Sequence, residues 1–124
     1  MKATIFYESD GGVASEVRSS PRFEPFEEFD GKKLVGVRLD EVLSVAGAEF
    51  QLVEIAAGGY FTMHTSPDEA FCQVVRGKGT LGLPDGCSIP YEGPELFVFR
   101  PGSLHEWRDV EGDTLLAVCL VKQG

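Results

Sequence analysis

The 124-residue sequence lacks most of the features that mark specialised classes of protein. It contains no apolar run long enough to span a bilayer, and residues 1–8 lack the longer apolar stretch of a secretory signal. Its three cysteines, Cys72, Cys87 and Cys119, are widely spaced and form no Cys-x-x-Cys pair. This spacing argues against a disulfide framework and against a cysteine-built zinc site. We therefore expect a cytoplasmic protein whose thiols stay reduced.

Basic residues are also scarce. The 11 lysines and arginines are outnumbered by 20 aspartates and glutamates, which gives a formal net charge of −9. A surface of this sign repels phosphate backbones and anionic lipids, so neither nucleic acid nor a membrane is expected as a partner. Apolar residues make up 43% of the sequence, which suits a folded protein, and a chain of this length encloses one core. We predict a single domain.

Regular turn signals divide the second half of the sequence. They fall at residues 58–59, 66–68, 77–79, 84–86, 92–94, 101–102 and 111–113. Between them lie short stretches rich in Val, Phe, Leu and Thr, at residues 49–55, 60–65, 71–75, 80–83, 95–99, 105–109 and 114–121. Strands that recur every 8–12 residues or so between turns predict an all-β sandwich or barrel.

The first 47 residues have a different character. Residues 2–7 predict a strand, and such a strand is a natural donor to a neighbouring subunit. Residues 18–26 contain two prolines and predict an extended arm. We therefore describe residues 1–47 as a strand and arm that pack on the barrel, and residues 48–124 as the barrel core of one domain overall.

Two segments of this first part leave alternatives open. Residues 39–45 fit either a short helix or one more strand. Three phenylalanines are spaced by three, which fits either a helical turn or a loop that tucks aromatic rings against the barrel. The nearby prolines favour the loop. These phenylalanines are Phe23, Phe26 and Phe29.

Only two histidines occur, His64 and His105. His64 lies near the end of a predicted strand, and His105 follows the tight turn at residues 101–102. Imidazole is the commonest side chain for binding divalent metal ions and for moving protons near neutral pH. In an antiparallel barrel, two strand-borne histidines far apart in sequence can point into the same interior.

The segments around these histidines resemble the two motifs of the cupin superfamily. Residues 58–77 resemble the first motif, and residues 93–109 resemble the second. The matching residues are Gly58, His64 and Gly77 in the first motif and Gly102 and His105 in the second, with Asp109 where the family has Asn. The resemblance implies a small single-domain cupin of the conserved-barrel type. Its fold would be a double-stranded β-helix (jelly-roll) barrel with an N-terminal extended arm, assembled as a homodimer.

Half of the metal-ligand set of this family is missing. Metal-binding cupins use three histidines and one glutamate, of which His64 and His105 match the first and last histidines. Ser66 stands at the second histidine position and Ala70 at the glutamate position, and neither side chain ligates such an ion well. Glu69 would substitute only if a bulge turned it inward. The degenerate motif leaves open a divalent metal ion (Fe, Mn, Ni or Zn) at partial occupancy.

Strand alternation defines the expected pocket. Counting in twos along the strands from His64, Ala70 and His105 places one set of side chains inside. This set is Tyr60, Thr62, His64, Ser66, Cys72, His105 and Trp107. Aromatic walls with a few polar tips are typical of small-ligand sites. Ordinary core packing explains Tyr60 and Trp107 equally well, and Cys72 is more simply a buried filler than a reactive thiolate.

Three functions fit these features, and whether the protein is an enzyme stays open. The first is a small-molecule-binding protein that senses or carries a metabolite in a pocket around the two histidines. The second is a metal-dependent oxygenase or isomerase that uses His64 and His105 with a non-standard third ligand. The third is a metal-free acid/base enzyme with one histidine as proton carrier. Hydrolase chemistry is least expected, because the motifs contain no nucleophile–base–orienter arrangement.

Overall fold

The computed structural model describes residues 2–19 and 22–123, and this part of the chain contains strands and no helix. No helix long and apolar enough to cross a membrane occurs within those ranges. The strands are β1 (Lys2–Ser9), β2 (Gly12–Ser19), β3 (Glu24–Pro25), β4 (Glu28–Phe29), β5 (Lys32–Lys33), β6 (Val35–Ser44), β7 (Ala48–His64), β8 (Glu69–Gly82), β9 (Ser88–Glu92), β10 (Glu95–Phe99) and β11 (His105–Val121). The predicted all-β class is confirmed.

Seven of these strands form one antiparallel sheet, which makes the barrel. Its order is β10-β8-β11-β7-β6-β3, and β9 pairs with the second half of β8. The long strands β7, β8 and β11 have 17, 14 and 17 residues. Register shifts interrupt the pairing of these long strands, so the two ends of each strand pair in separate stretches. Each long strand therefore contributes to both halves of the barrel.

Three predicted turns lie inside these long strands. Residues 58–59 belong to β7, residues 77–79 to β8 and residues 111–113 to β11. Each pair of predicted strands is therefore one strand that bends, because glycines and bulges let the pairing continue across the bend. The sequence pattern predicted no strand for β9.

Gly77 shows why a glycine is needed at one of these bends. Its φ is +114°, a conformation that residues with a side chain rarely adopt. A Cβ at this position would also lie 2.6 Å from the Cα of Thr114 on the neighbouring strand β11. The bend in β8 therefore depends on close backbone approach as well as on a positive φ.

The N-terminal part contributes two strands to the barrel sheet, which is more than an arm packed on its surface would contribute. Of residues 39–45, all but Val45 belong to a strand, β6, which pairs with β7 along most of its length, and β3 pairs with β6 in turn. The division at residue 47 consequently falls in the connection between two barrel strands. The strand predicted at residues 2–7 is part of β1, which pairs with β2 in a separate hairpin.

The segment between the hairpin and the barrel tucks aromatic rings against the sheet, as the proline pattern favoured. The rings of Phe26 and Phe29 each lie 6.0 Å from the ring of Phe61, measured between centroids. Phe23 lies instead beneath the guanidinium of Arg38, whose Cζ atom is 4.8 Å from the centroid of the Phe23 ring. Pro21 lies outside the described residues.

Apolar side chains pack one part of the barrel interior tightly. Ile55, Val74, Leu81 and Tyr91 are fully or almost fully buried there. The ring of Trp107 meets that of Tyr91 edge-to-face at 5.2 Å. Trp107 also lines the cavity described next, so it separates the packed core from the open part of the barrel.

Candidate functional site

A cavity of about 350 Å³ occupies the open part of the barrel. Its volume lies at the small end of the range for small-molecule sites. Most of the wall is apolar, formed by Phe26, Phe29, Leu39, Val53, Phe61, Ala70, Cys72, Phe99, Trp107, Leu116, Val118 and Leu120. The polar side chains of the wall are Glu41, Glu49, Gln51, His64, Ser66, Asp68, Arg100, Ser103 and His105.

The two histidines meet at the wall of this cavity. His64 at the end of β7 pairs directly with His105 at the start of β11, and the two ring centroids are 4.3 Å apart. The turn before β11 fixes this register, because the amide of Gly102 donates to the carbonyl of Ser66 at 3.0 Å. Residues 41 positions apart in the chain are thereby brought into contact.

Hydrogen bonds to the backbone determine the tautomer of each ring. Nδ1 of His64 lies 2.7 Å from the carbonyl oxygen of Thr62, and Nδ1 of His105 lies 3.2 Å from that of Ser103. A carbonyl oxygen only accepts, so each Nδ1 carries the proton and each Nε2 has a lone pair. Within residues 2–19 and 22–123, neither Nε2 has a hydrogen-bond partner, and both rings line the cavity.

Burial keeps both imidazoles neutral. Burial, together with the smaller effect of the neighbouring His64, lowers the pKa of His105 from 6.5 to about 4. Burial likewise lowers the pKa of His64, to which nearby Lys32 contributes. Aromatic neighbours hold the rings in place, because His105 stacks on Phe99 with centroids 3.5 Å apart and His64 packs on Phe61 at 4.3 Å.

Of the other predicted pocket residues, three line the cavity and two lie outside its lining. Ser66, Cys72 and Trp107 line it together with the histidines, whereas Tyr60 and Thr62 do not. The hydroxyl of Tyr60 donates instead to Glu106 at 2.7 Å, and this carboxylate raises the pKa of the phenol.

A bulge explains this difference from the predicted alternation. His64 pairs with His105, but Phe61 pairs with Trp107, so a step of three residues on β7 matches a step of two on β11. The extra residue reverses the alternation. Phe61 therefore lines the cavity beside His64, in the place that strict counting assigned to Tyr60 and Thr62.

Residues near the missing ligand positions have other contacts. The hydroxyl of Ser66 accepts a hydrogen bond from the amide of Asp68 at 3.0 Å. Ala70 lines the cavity, whereas Glu69 accepts from Nε of Arg100 at 2.5 Å and is absent from the lining. No bulge turns Glu69 inward. Burial raises the pKa of the Cys72 thiol to about 12, which suits a protonated packing residue.

The donor set does not fit the metal centre that the family resemblance implies. In the described part of the chain, no group of three or more His, Cys, Asp or Glu side chains is arranged to hold a metal ion. Two imidazoles without a carboxylate fall short even of the two-His-one-carboxylate arrangement of non-haem iron sites. The chemistry that the two histidines can offer is hydrogen-bond acceptance by neutral imidazoles, in a cavity whose wall is mostly apolar.

Sequence reasoning missed the carboxylates of the cavity wall. Glu41 lies on β6, in the segment assigned to the arm, and Glu49 lies at the start of β7. Alternation counted backwards from Val53 would have placed both Gln51 and Glu49 on the inner face. Asp68 reaches the cavity from the β7–β8 connection.

Comparison with known proteins identifies the fold. No protein-family model matches the sequence, and no curated protein matches it. Among solved structures, the cupin domain of Cnp3 from Schizosaccharomyces pombe is similar with a TM-score of 0.73 at 12% identity, covering 98% of this chain and 88% of that one. A cupin 2 conserved barrel domain protein from Rhodopseudomonas palustris is similar with a TM-score of 0.66 at 19% identity, covering 82% of this chain and 71% of that one.

A third similar structure is that of an enzyme. The polyketide cyclase RemF from Streptomyces resistomycificus has a TM-score of 0.63 at 19% identity, over 72% of this chain and 68% of that one. At such identities the likeness concerns the course of the backbone alone. The chain therefore has the cupin fold, a jelly-roll β-barrel.

Proposed function

We propose that this protein binds a small organic molecule in the barrel cavity, as a sensor or carrier of a metabolite, and does so without a bound metal ion. The observation that carries the proposal is the pair of Nε2 atoms of His64 and His105, which have no hydrogen-bond partner among the described residues, in a cavity whose wall is mostly apolar. Proteins of this fold differ in activity, so function is argued from the cavity and not from the fold.

The size and chemistry of the cavity support a ligand of fragment size. Removing about 200 Å² of apolar ligand surface from water contributes about 5 kcal/mol, and two hydrogen bonds to imidazole add about 1 kcal/mol each. Loss of rigid-body freedom opposes this gain by at least about 4 kcal/mol. The balance is at most about 3 kcal/mol, which corresponds to a dissociation constant in the millimolar range.

A metal-dependent oxygenase or isomerase is the alternative that the family resemblance raised. It needs a third protein ligand beside the two histidines, and the candidate Glu69 pairs with Arg100 through Oε1 and does not line the cavity, although its Oε2 is buried without a partner among the described residues. The polyketide cyclase RemF, which has a similar fold, is named for an organic substrate class, and this supports an organic ligand for the present chain. The same comparison gives no reason to assign a particular metal here.

A second copy of the chain is the macromolecular partner that we propose. One row of apolar side chains crosses the outer face of five adjacent strands, through paired positions on β10, β8, β11, β7 and β6. The row consists of Val98, Phe71, Cys119, Phe50 and Leu43, and its large members are 36–46% exposed. An apolar stripe of this extent would be covered in a homodimer.

The binding proposal is tested with metal-stripped protein and a fragment library. Ala70→Phe fills the cavity from within, and Gln73→Phe places the same ring on the exposed face of the same strand as a matched control. We expect fragments to bind the chelator-treated wild type and Gln73→Phe, and to lose binding to Ala70→Phe. Ligand-observed NMR measures this.

Two results would count against the proposal. One is a melting temperature that falls by more than about 5 °C on chelation, which corresponds to roughly 1 kcal/mol in a domain of this size. Such a fall would favour the metal-dependent alternative. The other is fragment binding that survives Ala70→Phe unchanged, which would place the ligands outside the cavity.

A further inference from the structure

The polar groups of the cavity are mostly hydrogen-bond acceptors. His105 is 6% exposed and lines the cavity, and its ring centroid lies 4.3 Å from that of His64. Burial lowers the pKa of both rings, so both Nε2 atoms accept hydrogen bonds at neutral pH. A ligand group that meets this pair must carry N–H or O–H donors.

Three carboxylates also line the cavity. Glu41 is exposed and Glu49 and Asp68 are half-buried, and all three line the cavity. None of these three carboxylates forms an ion pair with another of the described residues. Arg100 is the one cationic side chain of the lining, and it is paired with Glu69.

Charge therefore distinguishes among ligands that all donate hydrogen bonds. Three carboxylates beside a low-dielectric cavity concentrate cations and repel anions, in a protein whose formal net charge is already −9. A neutral alcohol can donate to the imidazole pair but gains nothing from these carboxylates. A protonated amine gains from both, and aromatic walls tolerate a cation better than aliphatic walls do.

We propose that the cavity selects organic cations that have N–H donors on a compact apolar body, such as primary amines. The ammonium group donates to Nε2 of His64 and His105, and the apolar body lies against the phenylalanine-rich wall. The proposal rests on the proposed binding function and adds the class of ligand. It assigns a role to Glu41, Glu49 and Asp68, which strand alternation from the histidines did not bring into the site.

Matched probes of equal shape and different charge test this ligand class. Each set contains an amine, an alcohol and a carboxylate on one body: benzylamine, benzyl alcohol and benzoate; the cyclohexylmethyl amine and alcohol with cyclohexanecarboxylate; and hexylamine, hexanol and hexanoate. Binding is measured by titration calorimetry or by NMR shift changes on metal-stripped wild type at pH 7.5 and low salt. We expect the amine to bind about tenfold more tightly than the alcohol in at least one set, with the carboxylate weakest.

Variants separate the two contributions. Glu49→Gln removes one carboxylate at nearly constant shape, and we expect it to weaken amine binding roughly threefold while alcohol binding stays unchanged. Glu16→Gln on the N-terminal hairpin removes the same charge at a residue that does not line the cavity, and it serves as the control. His64→Phe removes one acceptor and should weaken the amine and the alcohol together.

The outcomes distinguish the ligand class from the binding function. The cation proposal is overturned if a carboxylate binds as tightly as its matched amine, or if Glu49→Gln weakens amine and alcohol equally. It is also overturned if no amine binds while other fragments still enter the cavity, and in that case the binding function stands. If no fragment of any class binds, both proposals fail.

Discussion

Protonation of His105 should destabilise this protein at acid pH, and one substitution at this position should remove that loss of stability. Burial lowers the pKa of His105 in the folded protein to about 4, against 6.5 for an unperturbed imidazole. Between these values the unfolded chain binds a proton that the folded protein excludes, so the free energy of unfolding falls as the pH falls. Above pH 6.5 both states are neutral at this position, and the contribution is fully retained. Each pH unit inside the window is worth about 1.4 kcal/mol, or about 3 kcal/mol by pH 4.

Urea unfolding at several pH values measures this contribution. His105→Phe keeps a ring stacked on Phe99 and cannot be protonated. All carboxylates are common to both proteins, so their effects on the free energy of unfolding cancel in the difference between the two pH profiles. That difference therefore isolates the contribution of His105. We expect wild type to lose about 2 kcal/mol relative to His105→Phe between pH 7.5 and pH 5. Parallel profiles would refute the argument, because they would mean that the imidazole is charged as readily in the folded protein as in water.

Three further predictions concern the bend, the dimer and the thiols. Gly77→Ala should lower the free energy of unfolding by at least about 2 kcal/mol, because Gly77 has a positive φ and the neighbouring strand lies close to it. A Cβ at Gly112 would meet open space, so Gly112→Ala should change the free energy of unfolding by less than about 0.5 kcal/mol. Urea unfolding of the two variants compares these effects. Light scattering should give twice the mass of the chain for wild type and a lower mass for Phe71→Lys; a wild-type monomer would contradict the proposed partner. Brief iodoacetamide treatment at pH 7.5 should modify exposed Cys87 and spare buried Cys72 until the protein is unfolded. Mass spectrometry of peptides measures the modification of each thiol, and equal modification of the two in the folded protein would contradict the burial argument.

The strand pattern and the two histidine motifs predicted the fold well. Short stretches rich in β-branched and aromatic residues correspond to real strand segments, and the family resemblance supplied their arrangement. Glycine pairs were less informative, because Gly58 permits both a turn and a bend within one strand, and only long-range pairing decides between them. Residues 77–79 and 111–113 were predicted as turns for the same reason.

The site was predicted in part. The register of His64 opposite His105 follows from the barrel, and their contact agrees with the geometric expectation for strand-borne histidines. Tyr60 was assigned to the interior because local alternation cannot reveal a bulge that depends on the partner strand. Glu41 was missed because the strand that carries it was assigned to an arm, and its inward face is set by pairing with β7. Long-range register is the information that a single sequence lacks here.

The central claim is that His64 and His105 form a neutral pair in the cavity, each with a protonated Nδ1 and a free Nε2. Long-range ¹H–¹⁵N correlation spectra of the imidazole rings test it directly, since the protein has two histidines and single substitutions assign them. We predict that both rings show the Nδ1–H tautomer at pH 7 and that both Nε2 resonances shift when an amine fragment is added. Rings that are averaged between tautomers, or that titrate near pH 6.5 with no response to any fragment, would contradict the account.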